Sequence, residues 1–395
     1  MDLDILPPEI VEEIAMNLEY NDLYILSQVS KRLFELLDDP YILRRIIRKT
    51  GYQGDLRDID IKKLRFFCNT LKDKKFIPGE AYRIDHSNPK SVTKIADDIV
   101  QVSMFNDNAL LLRDDGQVYA YKDTKELLSN MHNIVQVSLG DKYALFLRAD
   151  GQVYASGNND YEQLGLGCWD YKNRAEPELI PDLNGIVQVS AGRFHSLFVR
   201  SDGRVYGCGL NIYRQVGFDD SNDRNKPELI PGLENVIRAS AGSAHSLCLR
   251  KDGQVYAFGD NLDGRLGLCS RNKERNTPQL IPEVNDIVQI SLGYYHSLCL
   301  SKTGEVYGFG SNMRHQLGKA NKRKSRLIPE VSGIIQITAD SCESLFLTTD
   351  GQVYKFNSNT GEKEVIPIPE GKSCIISNLF QVIACGYSYN VIIIH

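Results

Sequence analysis

Three histidines recur at a regular interval in this chain and are its clearest candidates for chemistry. His195, His245 and His296 each stand in the phrase Gly-x-x-His-Ser, about fifty residues apart. Three imidazoles on one centre would bind zinc, with nitrogens at about 2.0–2.1 Å from the metal. Equivalent positions of a repeat lie too far apart for that, and buried imidazoles are generally hydrogen bonded. We therefore predict that these histidines are structural, that they bond to turn backbone, and that they hold no metal.

The rest of the chain offers no catalytic constellation. It contains no Gly-x-Ser-x-Gly elbow, no phosphate-binding P-loop and no His-Glu-x-x-His pair. We predict that the protein is not an enzyme and that it binds no cofactor.

The cysteines also favour structure over chemistry. There are nine, an odd number with no Cys-x-x-Cys pair, which argues against a disulfide framework or a zinc knuckle. Cys208, Cys248 and Cys299 fall in β-rich segments, where a reduced thiol packs as a small apolar side chain.

The histidine phrases belong to a longer repeat of about fifty residues. Its first anchor is a β-rich run of the type Ile-Val-Gln-Val-Ser, found seven times, at 99–103, 134–138, 186–190, 236–240, 287–291, 334–338 and 379–383. Its second anchor, Asp-Gly-x-Val-Tyr or a close variant, is found six times, at 115–119, 150–154, 202–206, 252–256, 303–307 and 350–354. The missing seventh resembles Gly79-Glu-Ala-Tyr82, upstream of all the others.

A repeat that is completed from the opposite part of the chain predicts a closed ring, whereas a solenoid would carry two polar caps. Each copy offers four short β-segments, for example 236–239, 247–250, 255–258 and 280–281. Four strands in each of seven copies predict a mainly β fold, a seven-bladed β-propeller. We expect Gly79–Ile84 and Leu379–Ile394 to share a sheet, because that pairing removes exposed sheet edges.

The first fifty residues lack the repeat and have a helical pattern. Pro7 and Pro8 open a predicted helix whose apolar residues recur every four positions. Asn21 is the predicted N-cap of a second helix, and Pro40 starts a third. The predicted domains are a three-helix unit at 1–50, a connector at 51–76 and the propeller at 77–395. In the connector, Leu64 and Phe67 are expected to pack a short helix onto the ring.

The bulk composition narrows the class of partner. A net charge of −5 and a pI near 5.9 argue against a nucleic-acid partner, since such proteins normally have a basic surplus. The chain has no apolar run of about 18 residues, which predicts no membrane span. The acidic start Met1–Asp4 lacks the features of a signal peptide. We expect an intracellular protein, cytoplasmic or nuclear.

The helical segment resembles an F-box. The matching phrases are Leu6-Pro-Pro-Glu-Ile10, Asp22-Leu23 and Val29-Ser-Lys-Arg32, whereas Tyr41 stands near the place where the family often has tryptophan. The resemblance implies that the segment holds a Skp1-like adaptor subunit of a cullin-RING ubiquitin ligase. It also implies that core and partner surface are divided among Leu6, Pro7, Ile10, Leu18, Leu23, Leu26 and Val29. The alternative is a three-helix cap that packs on the propeller.

The repeat resembles the family named for the regulator of chromosome condensation. The resemblance rests on the Gly-x-x-His-Ser phrases, on Val255–Gly259 and on Asn-x-x-x-Gln-Leu-Gly loops at 159–165, 211–217, 261–267 and 312–318. It covers residues 79–394, although Met104–Asn108 and Asp340–Ser344 depart from the histidine phrase. It implies a binding platform or, as in the best-known member, a nucleotide-exchange factor for a small GTPase. Repeat spacings between 35 and 52 residues leave no long insertion to act as an exchange wedge.

A residue repeated in every copy serves the fold, so function is expected where the copies differ. The repeated glycines Gly192, Gly242 and Gly293 are expected to permit positive φ or close strand approach. Trp, Tyr and Arg dominate interface hot spots. The predicted contacts to an unknown target protein are Trp169, Tyr171, Tyr213, Arg214, Tyr294 and Tyr295. For Trp169 the alternative is packing over a neighbouring blade.

One basic segment has three interpretations. Lys319–Arg326 is a nuclear-import signal, a contact for an anionic partner, or a solvated loop.

These patterns predict a substrate-recognition adaptor of a cullin-RING (SCF-type) ubiquitin ligase. The F-box would hold the ligase and the propeller would hold the target, so that proximity alone promotes transfer. The alternatives are a GTPase exchange factor and a non-catalytic interaction scaffold. The order of F-box and repeats also resembles proteins encoded by large DNA viruses, in which case the site of action is the host cell.

Overall fold

The computed structural model describes residues 79–86, 92–129, 131–268, 274–282, 284–319, 326–368, 383–385 and 389–394. Contacts divide the chain into two units, residues 1–76 and 77–395. The predicted three-helix unit at 1–50 and the connector, with Leu64 and Phe67, lie outside the described residues.

The described part is mainly β and forms a β-propeller of six hydrogen-bonded sheets. One sheet has seven strands, in the order β26 (Ile383–Cys385), β27 (Tyr389–Ile394), β1 (Gly79–Asp85), β2 (Val92–Phe105), β3 (Asn108–Arg113), β4 (Val118–Tyr121) and β5 (Lys125–Leu127). The other five sheets have four strands each, which follow one another in chain order.

The first two of these sheets are β6 (Ile134–Leu139), β7 (Tyr143–Arg148), β8 (Val153–Gly157), β9 (Arg174–Leu179), and β10 (Ile186–Ala191), β11 (His195–Arg200), β12 (Val205–Gly209), β13 (Arg224–Leu229). The third is β14 (Val236–Ala241), β15 (His245–Arg250), β16 (Val255–Asp260), β17 (Glu274–Leu280). The last two are β18 (Ile287–Leu292), β19 (His296–Ser301), β20 (Val306–Gly310), β21 (Arg326–Leu327), and β22 (Ile334–Asp340), β23 (Glu343–Thr348), β24 (Val353–Phe356), β25 (Lys363–Ile366). A short 3-10 helix, Leu262–Gly264, lies between β16 and β17.

The expectation of seven separate sheets was wrong for the described residues, where there are six. The reason is the 14-residue strand β2, which continues from one expected unit into the next. Its first part pairs with β1, from Ile84↔Val92 to Gly79↔Ile99, and its second part pairs with β3, from Ile99↔Arg113 to Phe105↔Asn108. Hydrogen bonds along β2 therefore join two neighbouring repeat copies into one sheet.

The predicted pairing of Gly79–Ile84 with the C-terminal segment is present. Strand β1 pairs antiparallel with β27 over six positions, from Glu80↔Ile394 to Asp85↔Tyr389. Ala81 and Ile392 in these strands are 0% exposed. The pairing thus places both strands inside the hydrophobic core, not at an open sheet edge.

The core lies between neighbouring sheets. Leu247 and Val255 of one sheet share a cluster with Ile287, Cys299 and Phe309 of the next. Central strands such as β15 are buried along almost their whole length, because both of their faces are covered. Burying apolar surface stabilises a fold by roughly 25 cal/mol for each Å² removed from water, so these contacts are the main stabilising contribution.

The outer strands were predicted least well. The sequence predicted Leu280–Ile281 as the fourth strand of its copy, whereas β17 spans Glu274–Leu280. Outer strands face solvent and are rich in polar residues, so they lack the alternation that identifies a half-buried strand. The predicted cysteines behave as expected: Cys208, Cys248 and Cys299 are buried and free, and burial raises the pKa of each thiol.

The repeated Ile-Val-Gln-Val-Ser run forms the first strand of each four-stranded sheet, with a β-bulge between its first and third residues. A bulge re-aims the neighbouring side chain. Gln188 accepts a hydrogen bond from Ala239 N in the next sheet at 2.8 Å and donates one to Ala239 O at 3.0 Å. Equivalent paired bonds join Gln101 to Val137, Gln136 to Val189, and Gln289 to Ile337.

The serine of the same run makes a second bond to the next sheet. Ser190 Oγ accepts from Ala241 N at 3.0 Å. Equivalent bonds join Ser103 to Leu139, Ser138 to Ala191, and Ser291 to Ala339. The glutamine and serine of the repeat therefore link adjacent sheets near the axis, a role that the sequence analysis did not assign to them.

Among the described residues, no helix has the length and hydropathy needed to span a bilayer.

We predict that Gln188→Ala lowers the free energy of unfolding by about 1–3 kcal/mol, because it leaves the amide and carbonyl of Ala239 without their partner. The matched control is Gln279→Ala on an outer strand, whose exposed side-chain amide bonds, among the described residues, to Thr277 and Pro278. Urea unfolding of both variants measures the difference. Equal stability of the two would contradict the linking role.

Candidate functional site

The first strands of the five four-stranded sheets, together with β2 of the seven-stranded sheet, surround an axial cavity of about 100 Å³. One serine or threonine comes from each of six strand ends, namely Ser103, Ser138, Ser190, Ser240, Ser291 and Thr338. The turns that follow these strands contribute Gly242, Gly293 and Tyr294 to the lining. The cavity thus lies where one strand end from every described sheet converges.

The three repeated histidines connect successive sheets behind these turns. His195 Nε2 lies 2.9 Å from Ser246 Oγ, His245 Nε2 lies 3.0 Å from Ser297 Oγ, and His296 Nε2 lies 2.9 Å from Ser344 Oγ. The predicted structural role is supported, but the predicted partner of Nε2 was wrong. The partner is a serine hydroxyl of the next sheet, because the serine that follows each histidine faces back toward the preceding sheet.

The hydrogen bonds of the serine partner determine which nitrogen of the histidine carries the proton. Ser246 Oγ donates its one proton to Gln215 O at 2.7 Å, so it accepts from His195 Nε2. His195 is therefore the neutral Nε2–H tautomer, and its buried Nδ1 has no hydrogen-bond partner. Burial lowers the pKa of His195 to about 3 and also lowers the pKa of His245 and His296.

In the preceding copy, Tyr143 occupies the position that His195 occupies in its own copy. The histidine phrase did not identify it, because the residue is a tyrosine. Its hydroxyl donates to His195 O at 2.6 Å and lies 3.1 Å from Ser196 Oγ. Upstream, Asn108 stands at the histidine position, and the next copy has Ala144 at the serine position. A histidine or tyrosine at this position in one sheet is thus paired with a serine in the next sheet.

The repeated glycines Gly192, Gly242 and Gly293 satisfy one of their two predicted roles. None has positive φ. A Cβ on Gly242 would lie 2.5 Å from Cε1 of His245 and 3.0 Å from Gly293 O, which no side chain permits. Close approach of histidine and neighbouring backbone is therefore the reason for glycine. Positive φ occurs instead in the Asp-Gly turns at the opposite end of the sheets, as at Gly253 with φ +79°.

Variable residues of two Gly-x-x-His turns gather at one end of the cavity, here called its mouth, where Tyr294 is part of the lining and Arg193 and Phe194 lie beside it. Arg193 stacks on Phe194, with its guanidinium carbon 4.8 Å from the ring centre, and lies 5.7 Å from the ring centre of Tyr294. Its Nε lies 3.4 Å from Asp141 Oδ2, on the equivalent turn of the preceding sheet. Three different sheets thus contribute to one cluster at the mouth.

Tyr294 connects this cluster to the seven-stranded sheet. Its hydroxyl donates to Asn106 Oδ1 at 2.8 Å, and its ring centre lies 5.2 Å from that of Phe105. Asn106 and Phe105 belong to a copy that departs from the histidine phrase. Sequence reasoning set that copy aside and so missed these residues, together with Arg193 and Asp141.

The Asn-x-x-x-Gln loops lie at the same end as these turns, because antiparallel strands place the first turn and the third loop together. Two contacts confirm it: the ring centres of Tyr161 and Phe194 are 4.7 Å apart, and the Arg265 guanidinium carbon is 5.0 Å from the ring centre of Tyr295. The predicted target contacts are thereby distributed over one end of the sheets.

Most of the predicted target contacts are open to solvent. Trp169 is 56% exposed, Tyr171 54% and Tyr213 43%. More than half of the Trp169 side chain is therefore open to solvent in the described part of the chain. Met313, Ile212 and Leu262 are also exposed at the tips of equivalent loops, although the sequence pattern did not predict them as contacts.

The structure brings the predicted residues together as two pairs. Trp169 and Tyr171 have ring centres 6.3 Å apart, and Tyr294 and Tyr295 are 6.0 Å apart in an edge-to-face arrangement. Tyr213 and Arg214 lie on a separate loop, where Arg214 Nη1 donates to Ile212 O at 3.2 Å.

Two other sets of predicted residues lie wholly or partly outside the residues that the structure describes. The F-box residues Leu6, Pro7, Ile10, Leu18, Leu23, Leu26 and Val29 lie outside the described residues. Of the basic segment Lys319–Arg326, the Lys319 side chain is described, and its Nζ lies 3.3 Å from Glu362 Oε1.

Two family models match this chain. The F-box-like family matches residues 3–49, and the RCC1-like domain family matches residues 121–394, which is more than half of the chain. The copies near residue 99 and β1 precede the second match. Both resemblances inferred from sequence motifs are confirmed.

Individual relatives are similar over parts of the chain. The probable E3 ubiquitin-protein ligase HERC4 of Rattus norvegicus is 44% identical over 166 residues, which are 41% of this chain and 16% of HERC4. The regulator of chromosome condensation of Mus musculus is 45% identical over 56 residues, 14% of this chain and 13% of that protein. The chain thus spans a small part of the length of these relatives.

Among solved structures, Prp20p from Saccharomyces cerevisiae, described with its binding properties to Gsp1p and histones, has a TM-score of 0.69 at 17% identity. The similarity covers 81% of this chain and 93% of Prp20p. At this identity the similarity shows the fold alone.

We predict that the protein loses stability as pH falls from about 6.5 toward 3, because the unfolded state binds protons at histidines that stay neutral when folded. His195→Gln keeps a donor near Ser246 but does not titrate. Its free energy of unfolding should therefore fall less steeply in this range, by up to about 1.4 kcal/mol per pH unit.

The comparison is urea unfolding at several pH values, with the exposed residue His132 changed to Gln as control. A His195→Gln slope as steep as that of the wild type would mean that burial of this imidazole does not set its protonation.

Proposed function

The protein belongs to the RCC1-like domain family, and we propose that it is a substrate-recognition adaptor of a cullin-RING (SCF-type) ubiquitin ligase. The observation that carries the proposal is the combination of an F-box-like match at 3–49 with a propeller whose variable side chains gather at one end. The F-box-like segment would hold a Skp1-like adaptor subunit. The gathered side chains would hold the target.

The proposed mechanism is proximity and needs no chemistry in this chain. When a target is held beside a ligase-bound conjugate, the effective concentration of the conjugate at the target is high. HERC4, named a probable E3 ubiquitin-protein ligase, offers a precedent for similar repeats in such a protein, although the match spans 16% of its length. An intracellular site of action, cytoplasmic or nuclear, is part of the same proposal.

The proposed target surface consists of Trp169, Tyr171, Tyr213, Arg214, Tyr294 and Tyr295, extended by Arg193 and Phe194 at the mouth. Aromatic and arginine side chains supply most of the energy at protein interfaces. The turns that carry Arg193, Phe194, Tyr294 and Tyr295 adjoin His–Ser bonds between sheets, which would hold these turns in place. Little conformational entropy of these turns would therefore be lost when the target binds.

We also propose that the seven-stranded sheet corresponds to two blades, which would make seven in all. Strand β2 would be the outermost strand of one blade in its first part and the innermost strand of the next in its second part. The sequence repeat supports this interpretation, because residues 99–103 in β2 match the first strand of every other copy.

A second candidate is nucleotide exchange on a small GTPase. It is favoured by the similarity to Prp20p, which is described with binding to Gsp1p. The similarity at 17% identity concerns the fold alone.

We expect the full-length chain to capture the ligase adaptor subunit in a pull-down with purified proteins. Leu6→Asp with Ile10→Asp should abolish capture, because it places carboxylates on the apolar positions assigned to that contact. Trp169→Ala is the matched control and should capture the adaptor fully, since it changes only the proposed target surface. Undiminished capture by the double variant would show that the F-box assignment does not describe the contact.

A nucleotide-release assay with purified small GTPases separates the two candidates. The adaptor proposal expects the protein to leave the release rate unchanged. Acceleration by the full-length chain, together with no adaptor capture, would favour the exchange factor. A protein inactive in both assays would be an interaction scaffold.

A further inference from the structure

The axial cavity contains one charged side chain. Of the residues that line it, only Asp340, at the end of β22, carries a formal charge. Asp340 is 8% exposed. A buried carboxylate normally has a cationic partner, because desolvation of an unpaired charge is costly. Among the described residues, no basic side chain forms an ion pair with Asp340.

The local contacts of Asp340 are neutral. The hydroxyl of Ser341 lies 3.5 Å from Oδ2, and the backbone amides of Ser341 and Asn106 face the carboxylate. The nearby cation is engaged elsewhere, since Arg193 pairs with Asp141 and stacks on aromatic rings. The carboxylate therefore has hydrogen-bond donors but no counter-ion within the described chain.

The rest of the wall is suited to a small polar cation. Ser103, Ser138, Ser190 and Ser291 each accept one backbone N–H from the next sheet, which leaves each hydroxyl a lone pair for a ligand. Phe105 and Tyr294 line the same cavity with ring centres 5.2 Å apart. Aromatic faces attract ammonium groups within about 6 Å of the ring centre.

We propose that this cavity binds a primary ammonium group of the target protein, with Asp340 as counter-ion and Phe105 and Tyr294 beside it. The inference rests on the proposed role of this end of the propeller in holding a target. One carboxylate balances one positive charge, whereas calcium requires 6–8 oxygen ligands with several carboxylates. No group of three or more His, Cys, Asp or Glu within the described residues is arranged to hold a metal ion.

A lysine side chain and a protein N-terminus both supply a primary ammonium group. In each case the atoms that carry the ammonium group are uncharged, as is the wall of the cavity apart from Asp340. The chemistry of recognition is shared, and probes distinguish the two sources.

The charge state of Asp340 gives the site a pH dependence. Burial raises the pKa of Asp340 to about 7, and Asp107 contributes in the same direction. The other charged groups at the mouth are Asp141 and Arg193. An ammonium group binds the ionised carboxylate, so affinity should rise as pH increases through 7 and fall below it.

The test uses the full-length chain and three small probes, followed by ligand-observed saturation-transfer NMR. Nα-acetyl-lysine methylamide carries a side-chain ammonium, alanine methylamide carries an N-terminal amine, and Nα-acetyl-norleucine methylamide has no charge. We expect at least one ammonium probe to bind and the norleucine probe not to bind. Asp340→Asn should weaken binding at least tenfold, whereas Asp252→Asn, an exposed carboxylate on an Asp-Gly turn, should not.

Binding of the lysine probe alone identifies a side chain as the source, and binding of the alanine probe alone identifies an N-terminus. Equal binding of the norleucine probe, no binding of either ammonium probe, or unchanged affinity in Asp340→Asn would overturn the proposal. If Asp340→Asn does not fold, the wild-type affinity between pH 6 and 8 decides, and a flat profile overturns it. No ligase subunit takes part, so failure of adaptor capture leaves this test unaffected.

Discussion

The pairing of β1 with β27 is the interaction on which the described structure depends. Six consecutive backbone positions, from Glu80↔Ile394 to Asp85↔Tyr389, join segments from opposite parts of the chain. Without that pairing, the buried faces of Ala81 and Ile392 would be exposed, and the seven-stranded sheet would be split into two sets of strands with open edges. With it, the sheets surround one axis, and inner strands bond to their neighbours, as β10 does to β14.

Closure divides the repeated residues from the variable ones. Where a copy has the repeated glutamine, serine, histidine and glycine, the described ones are used in bonds or close contacts between adjacent sheets, as at Gln188, Ser190, His195 and Gly192. The residues that remain free to vary are those of the turns and loops at one end. Because the turns meet at the axis, side chains as distant in sequence as Asn106 and Tyr294 share a hydrogen bond. A recognition surface is thus a consequence of the ring.

Much of this could be predicted from sequence, and the exceptions have physical causes. Repeated apolar runs and Asp-Gly turns identify the inner strands, since burial imposes a regular pattern on them. The polar outer strand β17 lacks that pattern, and the continuous strand β2 looks like two strands because its two halves serve different neighbours. The axial residues Asp340 and Phe105 could not be recognised from sequence. They stand in copies that have lost the histidine phrase, and only the fold brings them together.

Ring closure is tested most directly by hydrogen exchange after Ile392→Asp, a change that places a carboxylate in the β1–β27 pair where Ile392 faces Tyr82. Mass spectrometry would follow peptides from β14 and β15, which belong to a different sheet. If closure supports all the sheets, protection of these amides should fall together with that of β1. If protection is lost only in the seven-stranded sheet while β14 and β15 remain as in the wild type, the sheets are stable without closure and the account is wrong.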